Sequence, residues 1–189
     1  MNLPNKLTTI RMLVVPAFFV LFQYEEYGWA VGVFIAAAIT DKIDGMLARK
    51  RGQTTTYGKL MDPAADKILT NVALLCLCMV HAVPVWIFAI FLARDALIDG
   101  LKSLVATESA KEESEAKVIA ASKTAQLKTF IQMFAAAFLL FWLAIPSEPA
   151  WLSKTIWVLG YVQLYASLIL CLWSAEEYLY GNRHYIKTK

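Results

Sequence analysis

Four aspartates within one short stretch carry the chemistry this chain could do. From Thr40 to Lys67 the sequence reads TDKIDGMLARKRGQTTTYGKLMDPAADK, with Asp41 and Asp44 three residues apart and Asp62 and Asp66 four apart. On a helix these spacings put both members of a pair on one face. Two consecutive helices would then present a carboxylate pair each at one depth. Four facing carboxylates repel and take up protons unless cations sit between them. Oxygen-only ligands suit Mg2+ or Mn2+ rather than zinc. Gly45, Ala48 and Gly58 fall among them and keep the intervening space open. Simple helix capping explains one or two such acids, but poorly explains four at these intervals.

A second group is basic. Arg94 lies ten residues after Pro84, about 15 Å along a helix that rises 1.5 Å per residue. A guanidinium at that depth needs a phosphate or carboxylate partner. The two readings are a ligand for an anionic substrate and an ion pair with an aspartate of the same helix, Asp95 or Asp99. Lys128 would add a second charge for the same phosphate, with Lys102 and Lys123 as weaker candidates. Arg49 either pairs with a phosphate or anchors the chain at headgroup level beside Lys50 and Arg51. Thr8 and Arg11 either line the same cavity or anchor the first helix.

The elements that must hold these groups are apolar. The 189 residues are 59% hydrophobic and 17% charged, with a mean hydropathy of +0.53. A soluble domain carries about 25% charged residues. Disorder and a nucleic-acid-binding role are excluded, and length predicts a single domain over 1–189. Long apolar runs span about 7–22, 28–40, 68–83, 84–101, 127–145 and 150–175. A helical span needs about 20 residues, so the second and third runs reach length only by admitting the aspartates. The expected fold is an all-α polytopic membrane bundle of six transmembrane helices, with MNLPNKLT as a short interfacial segment ahead of the first. Polar residues 107–117 either extend the fourth helix or cap a loop. Cys76, Cys78 and Cys171 lie in apolar runs without metal spacing and read as small hydrophobes.

Charge sets the orientation. The loops at 23–28, 81–84 and 145–154 hold one basic residue, Lys154, of the 18 in the chain. The other 17 fall on the side carrying both termini or in the helix ends facing it, and the positive-inside rule makes that side cytoplasmic. Tyr24, Tyr27, Trp29, Trp151, Tyr178 and Tyr180 are placed for interfacial belts. Carboxylates confined to one membrane edge argue against a transporter or channel, whose ion path would spread them across depths.

The residues Asp41-Lys-Ile-Asp44-Gly45-Met-Leu-Ala48-Arg49, then Gly58, Asp62 and Asp66, meet every fixed position of D-x2-D-G-x2-A-R-x8-G-x3-D-x3-D. This resembles the signature of the CDP-alcohol phosphatidyltransferase family. LPNKLTTIRML, TYGKLMDPAADK, Arg94-Asp95, Lys128-Thr129 and LWSAEEYL are similar to its bacterial phosphatidylglycerophosphate synthase branch, so the resemblance covers nearly the whole chain. It implies transfer of a phosphatidyl group from CDP-diacylglycerol to an alcohol, with release of CMP, in the bacterial inner membrane. It implies two divalent cations on Asp41, Asp44, Asp62 and Asp66, with Asp66 also the general base. It assigns the CDP-lipid to Asp44, Gly45, Ala48, Arg49 and Gly58, and it suggests a homodimer among membrane lipids. The branch reads Arg-Glu-x6-Arg where this chain has Arg94-Asp95 through Lys102, and Gly-Lys-x-Lys-Thr where it has Ala125-Gln126-Leu127-Lys128-Thr129. A cationic pair favours a phosphorylated acceptor, and the branch narrows it to glycerol 3-phosphate. Inositol phosphate is the alternative.

Overall fold

The computed structural model describes the backbone at 3–51, 56–111, 123–145, 149–181 and 183, and side chains at 13–40, 67–103, 124–145, 149–181 and 183. Among the described residues the chain is all-α. Six helices follow in order: α1 (Leu3–Gln23), α2 (Tyr27–Arg51), α3 (Thr56–Met79), α4 (Val85–Lys111), α5 (Lys123–Ala144) and α6 (Ala150–Gly181).

Several boundaries move relative to the apolar runs. Helix α1 starts at Leu3, so residues 3–8 of the expected interfacial segment are helical and continuous with the span. Helices α2 and α3 both run well past their apolar stretches, because backbone hydrogen bonding does not stop where hydropathy falls. Asp62 and Asp66, expected to open α3, lie two to three turns inside it, and Gly58 falls in its first turn. Helix α4 carries the polar stretch as far as Lys111.

Packing runs α1 against α2 and α3, α5 against α2, α3 and most extensively α6, and α4 against α3 and α6. The core is aliphatic and aromatic, with Phe18 of α1 near Phe34 of α2 at a ring separation of 6.0 Å. Helix α6 explains how the bundle faces its surroundings. Its buried stripe runs through Gly160, Leu164, Ser167, Cys171 and Ser174 at three- and four-residue spacings, and all of these but Leu164 are small or polar. The opposite face exposes Val162, Ile169, Leu172 and Trp173. Small residues let helices approach, while large apolar ones face outward. Lys128, Asp95 and Gln132 are meanwhile buried. An apolar exterior around buried polar side chains is the arrangement of a polytopic membrane helical bundle, the reverse of a water-soluble one. By hydropathy and length alone, α5 over Thr124–Ala144 and α6 qualify as spans among the described residues. Helix α4 carries Arg94, Asp95, Asp99 and Lys102 within its apolar stretch.

Two turns at one end of the bundle share a hydrogen-bond pattern. After α1, Glu25 N–H donates to Phe22 O and Glu26 N–H to Leu21 O, both at 3.0 Å. After α3, His81 N–H donates to Cys78 O and Ala82 N–H to Leu77 O. Both are Schellman closures, which need a left-handed residue at the turn. Glu25 (φ 60°) and His81 (φ 56°) supply it without glycine. The α5–α6 connection is closed by Trp142 Nε1, which donates to Ser153 Oγ at 3.1 Å. Of the expected belt aromatics, Tyr24, Trp29, Trp151 and Tyr180 face outward, whereas Tyr178 is buried on the inner stripe of α6. Tyr27 packs edge-on against Phe22. All three cysteines are buried free thiols.

Candidate active site

Helix α2 carries Asp41, Asp44, Gly45, Ala48 and Arg49 on its C-terminal half, and α3 carries Gly58, Asp62 and Asp66 on its N-terminal half. Each aspartate pair therefore spans about one turn of continuous helix, as its spacing predicts. The side chains of these eight residues, and of Thr8, Arg11 and Lys123, lie outside the described residues. Among the described residues there is no cluster of three His, Cys, Asp or Glu able to hold a metal. The carboxylate set expected to do so lies wholly outside them. Its all-oxygen donor chemistry fits Mg2+ or Mn2+.

Lys67 immediately follows Asp66 and pairs with Asp99 of α4, tying the start of the apolar half of α3 to α4. One turn earlier on α4 lies a buried ionic cluster. Arg94 Nη1 donates to Asp95 Oδ1 at 3.0 Å, and Arg94 Nη2 donates to Ser174 Oγ of α6 at 2.7 Å. Lys128 Nζ of α5 reaches Asp95 Oδ1 at 3.2 Å and Oδ2 at 3.4 Å. The ammonium also lies 5.2 Å from the centre of the Phe91 ring, within cation–π range. Lys128 is 1% exposed and Asp95 8%. Helices α4 and α5 thus bring two cations onto one carboxylate, and among the described residues no second carboxylate pairs with either cation. Arg94 Nε is buried and, among the described residues, has no hydrogen-bond partner. Of the two readings of Arg94, the ion pair with Asp95 is present, and among the described residues that pairing leaves Nε without a partner. Lys102 is half-buried, about 12 Å further along α4 by helical rise.

Ser174 is the residue that sequence reasoning passed over. It sits seven residues after Ser167, two turns along the same buried stripe. A polar position repeating at that interval inside an apolar span was the available signal.

An apolar groove of about 440 Å³ lies between α2 and α5, lined by residues including Phe34, Ala38, Met133, Ala137 and Phe141. Ile39, Phe134 and Phe141 along it are exposed. On α2 it ends at Ile39, two residues before Asp41.

A family profile described as CDP-alcohol phosphatidyltransferase matches residues 1–173. The chain belongs to this family. Among its relatives, a CDP-diacylglycerol–glycerol-3-phosphate 3-phosphatidyltransferase of Sodalis glossinidius is 36% identical, over 97% of this chain and 96% of the relative. A protein of the same name from Pseudomonas fluorescens is 36% identical over 100% and 93%, and one from Salmonella typhimurium 35% over 96% and 95%. As a CDP-alcohol phosphatidyltransferase, the chain is an enzyme of phospholipid synthesis, and its outward-facing apolar surface is that of a multi-pass membrane protein.

Proposed function

We propose that this enzyme moves the phosphatidyl group of CDP-diacylglycerol to the 1-hydroxyl of glycerol 3-phosphate, yielding phosphatidylglycerophosphate and CMP. The observation that carries the acceptor is the buried Arg94–Lys128 pair, which among the described residues has only Asp95 to neutralise it. A surplus positive charge in a low-dielectric site is costly unless an anion joins it. A phosphate monoester is such an anion, and Arg94 Nε, without a partner among the described residues, offers it a donor on the guanidinium edge suited to two-point oxyanion binding. The relatives named above carry glycerol 3-phosphate in their own names.

On the donor side, Asp41, Asp44, Asp62 and Asp66 would hold two divalent cations, which would neutralise the pyrophosphate and the charge developing at the attacked phosphorus. Gly45, Ala48 and Gly58 leave room for the cytidine, and Arg49 pairs with the nucleotide phosphates. An acyl chain of the donor fits the α2–α5 groove, which is apolar, open to lipid, and ends close to Asp41. In the transfer, the acceptor hydroxyl oxygen bonds to the lipid-side phosphorus, the bond from that phosphorus to the CMP oxygen breaks, and CMP leaves. Asp66 takes the hydroxyl proton as general base. Arg94 and Lys128, with Lys102 and Lys123 toward the entrance, hold the acceptor's phosphate so that its hydroxyl faces the donor. Six spans with both termini in the cytoplasm would open this site to the cytoplasmic face of the inner membrane, as the basic-residue asymmetry requires.

The test is purified enzyme with CDP-diacylglycerol and either glycerol 3-phosphate or inositol phosphate, following CMP release and the lipid product. Phosphatidylglycerophosphate formed only in the presence of divalent cation is the expected result. Product with inositol phosphate alone would replace the acceptor, and activity after complete chelation would remove the two-metal reading.

A further inference from the structure

Asp95 and Ser174 are polar groups inside the bundle that the transfer chemistry does not itself consume. Adjacent residues of a helix point about 100° apart and do not ordinarily meet. Arg94 and Asp95 nonetheless share a 3.0 Å contact. The reason is on α5, where Lys128 approaches both oxygens of Asp95 and draws the carboxylate into the cleft between helices. Oδ1 is thereby shared between the guanidinium and the ammonium. The far side of the guanidinium is fixed by Ser174. Its hydroxyl donates to Cys171 O at 3.0 Å, so its oxygen lone pairs are free to accept from Nη2 at 2.7 Å.

We infer that Asp95 and Ser174 are positioning residues of the acceptor site, holding Arg94 between them so that its Nε edge is the one left for the incoming phosphate. The inference rests on the reading of Arg94 and Lys128 as acceptor ligands. Its physical content is preorganisation. Two neighbouring cations would repel and separate without the shared carboxylate, and a long arginine without a second anchor would lose its aim. Asp95 also lowers the summed charge of itself, Arg94 and Lys128 from plus two to plus one, so that a dianion can enter and its product can leave. The serine contributes no charge, only direction.

The test is steady-state kinetics of the full-length enzyme in lipid nanodiscs, varying glycerol 3-phosphate and CDP-diacylglycerol separately. Ser174→Ala, which removes one oxygen and leaves every charge in place, should raise the acceptor KM about tenfold, the worth of a hydrogen bond to a charged group, without moving the donor KM. Asp95→Asn should raise the acceptor KM further, and Asp95→Glu should bring it back to within a few-fold of wild type. Arg94→Ala is the reference that separates the two levels of argument. If it raises the acceptor KM while Ser174→Ala and Asp95→Asn do not, the positioning roles are wrong and the acceptor site stands. If Arg94→Ala leaves the acceptor KM unchanged, both fall. An acceptor KM lowered by Asp95→Asn would mean that the carboxylate merely opposes the anion. Equal shifts in donor and acceptor KM would mean a general structural role. Should Asp95→Asn fail to fold, Ser174→Ala and Asp95→Glu decide the matter between them.

Discussion

Around Gly160, helices α5 and α6 meet in an apolar, closely fitted contact; fourteen residues further along α6, at Ser174, the same two helices enclose charged side chains. A Cβ added at Gly160 would come within 2.7 Å of Leu139 Cδ2, so the contact is set by the absence of a side chain. At the other level Lys128 of α5 and Ser174 of α6 close around Arg94 and Asp95. By helical rise the two levels stand about 21 Å apart. The first gains stability from packing. The second sacrifices stability, because burying three ionised groups costs more than an apolar filling of the same volume. On the proposed reading, stability and function are segregated along the axis of the bundle, and perturbations at the two levels should be separable.

The largest expected effect is at the charged end. Asp62→Asn or Asp66→Asn should lower CMP release by about 10³-fold or more, the scale of losing a metal ligand at a phosphoryl centre. The thermal unfolding midpoint should be unchanged or raised, since each substitution relieves repulsion among carboxylates; a lowered midpoint would mean that these residues hold the fold. Gly160→Leu should do the opposite. Overpacking of a tight contact costs about 1–3 kcal/mol, so the unfolding midpoint in detergent should fall while kcat per folded enzyme stays constant. Lys128→Met crosses the boundary between the two regions. It leaves a one-to-one Arg94–Asp95 pair in an apolar surrounding, so stability should hold or rise while the acceptor KM increases about tenfold. The smallest effect is at a turn. His81→Gly relieves a left-handed residue and should stabilise the protein by about 1 kcal/mol or less with kinetics unchanged, measured by the same unfolding transition.

The helical setting of the motif aspartates was legible before any coordinate. Spacing alone placed Asp41 with Asp44 and Asp62 with Asp66, because a helix has one period and acids have few reasons to recur on it. Arg94 was legible for a related reason: a guanidinium ten residues into an apolar run demands a partner. Its partner's second attachment was not. Lys128 lies 33 residues from Asp95, and no local pattern says that α5 passes α4 at that depth. Ser174 was hidden further, since a serine in an apolar helix is ordinary until a guanidinium is found beside it. Helix ends were misjudged where hydropathy and hydrogen bonding part company. α2 continues through Arg51 and α3 begins at Thr56 although neither stretch is apolar. The Schellman closures at Glu25 and His81 were invisible because the usual glycine is absent from both. The Lys67–Asp99 pair joins residues 32 apart and carried no sequence signal of its own.

The central claim is that the buried cationic pair reads the phosphate of the acceptor. It is tested most directly by comparing glycerol 3-phosphate with glycerol, which offers the same hydroxyl without the phosphate, in wild-type enzyme and in Arg94→Ala. Wild type should favour glycerol 3-phosphate in kcat/KM by a factor of about 10³ or more, and Arg94→Ala should erase at least about tenfold of that preference. A preference left intact by Arg94→Ala would contradict the account.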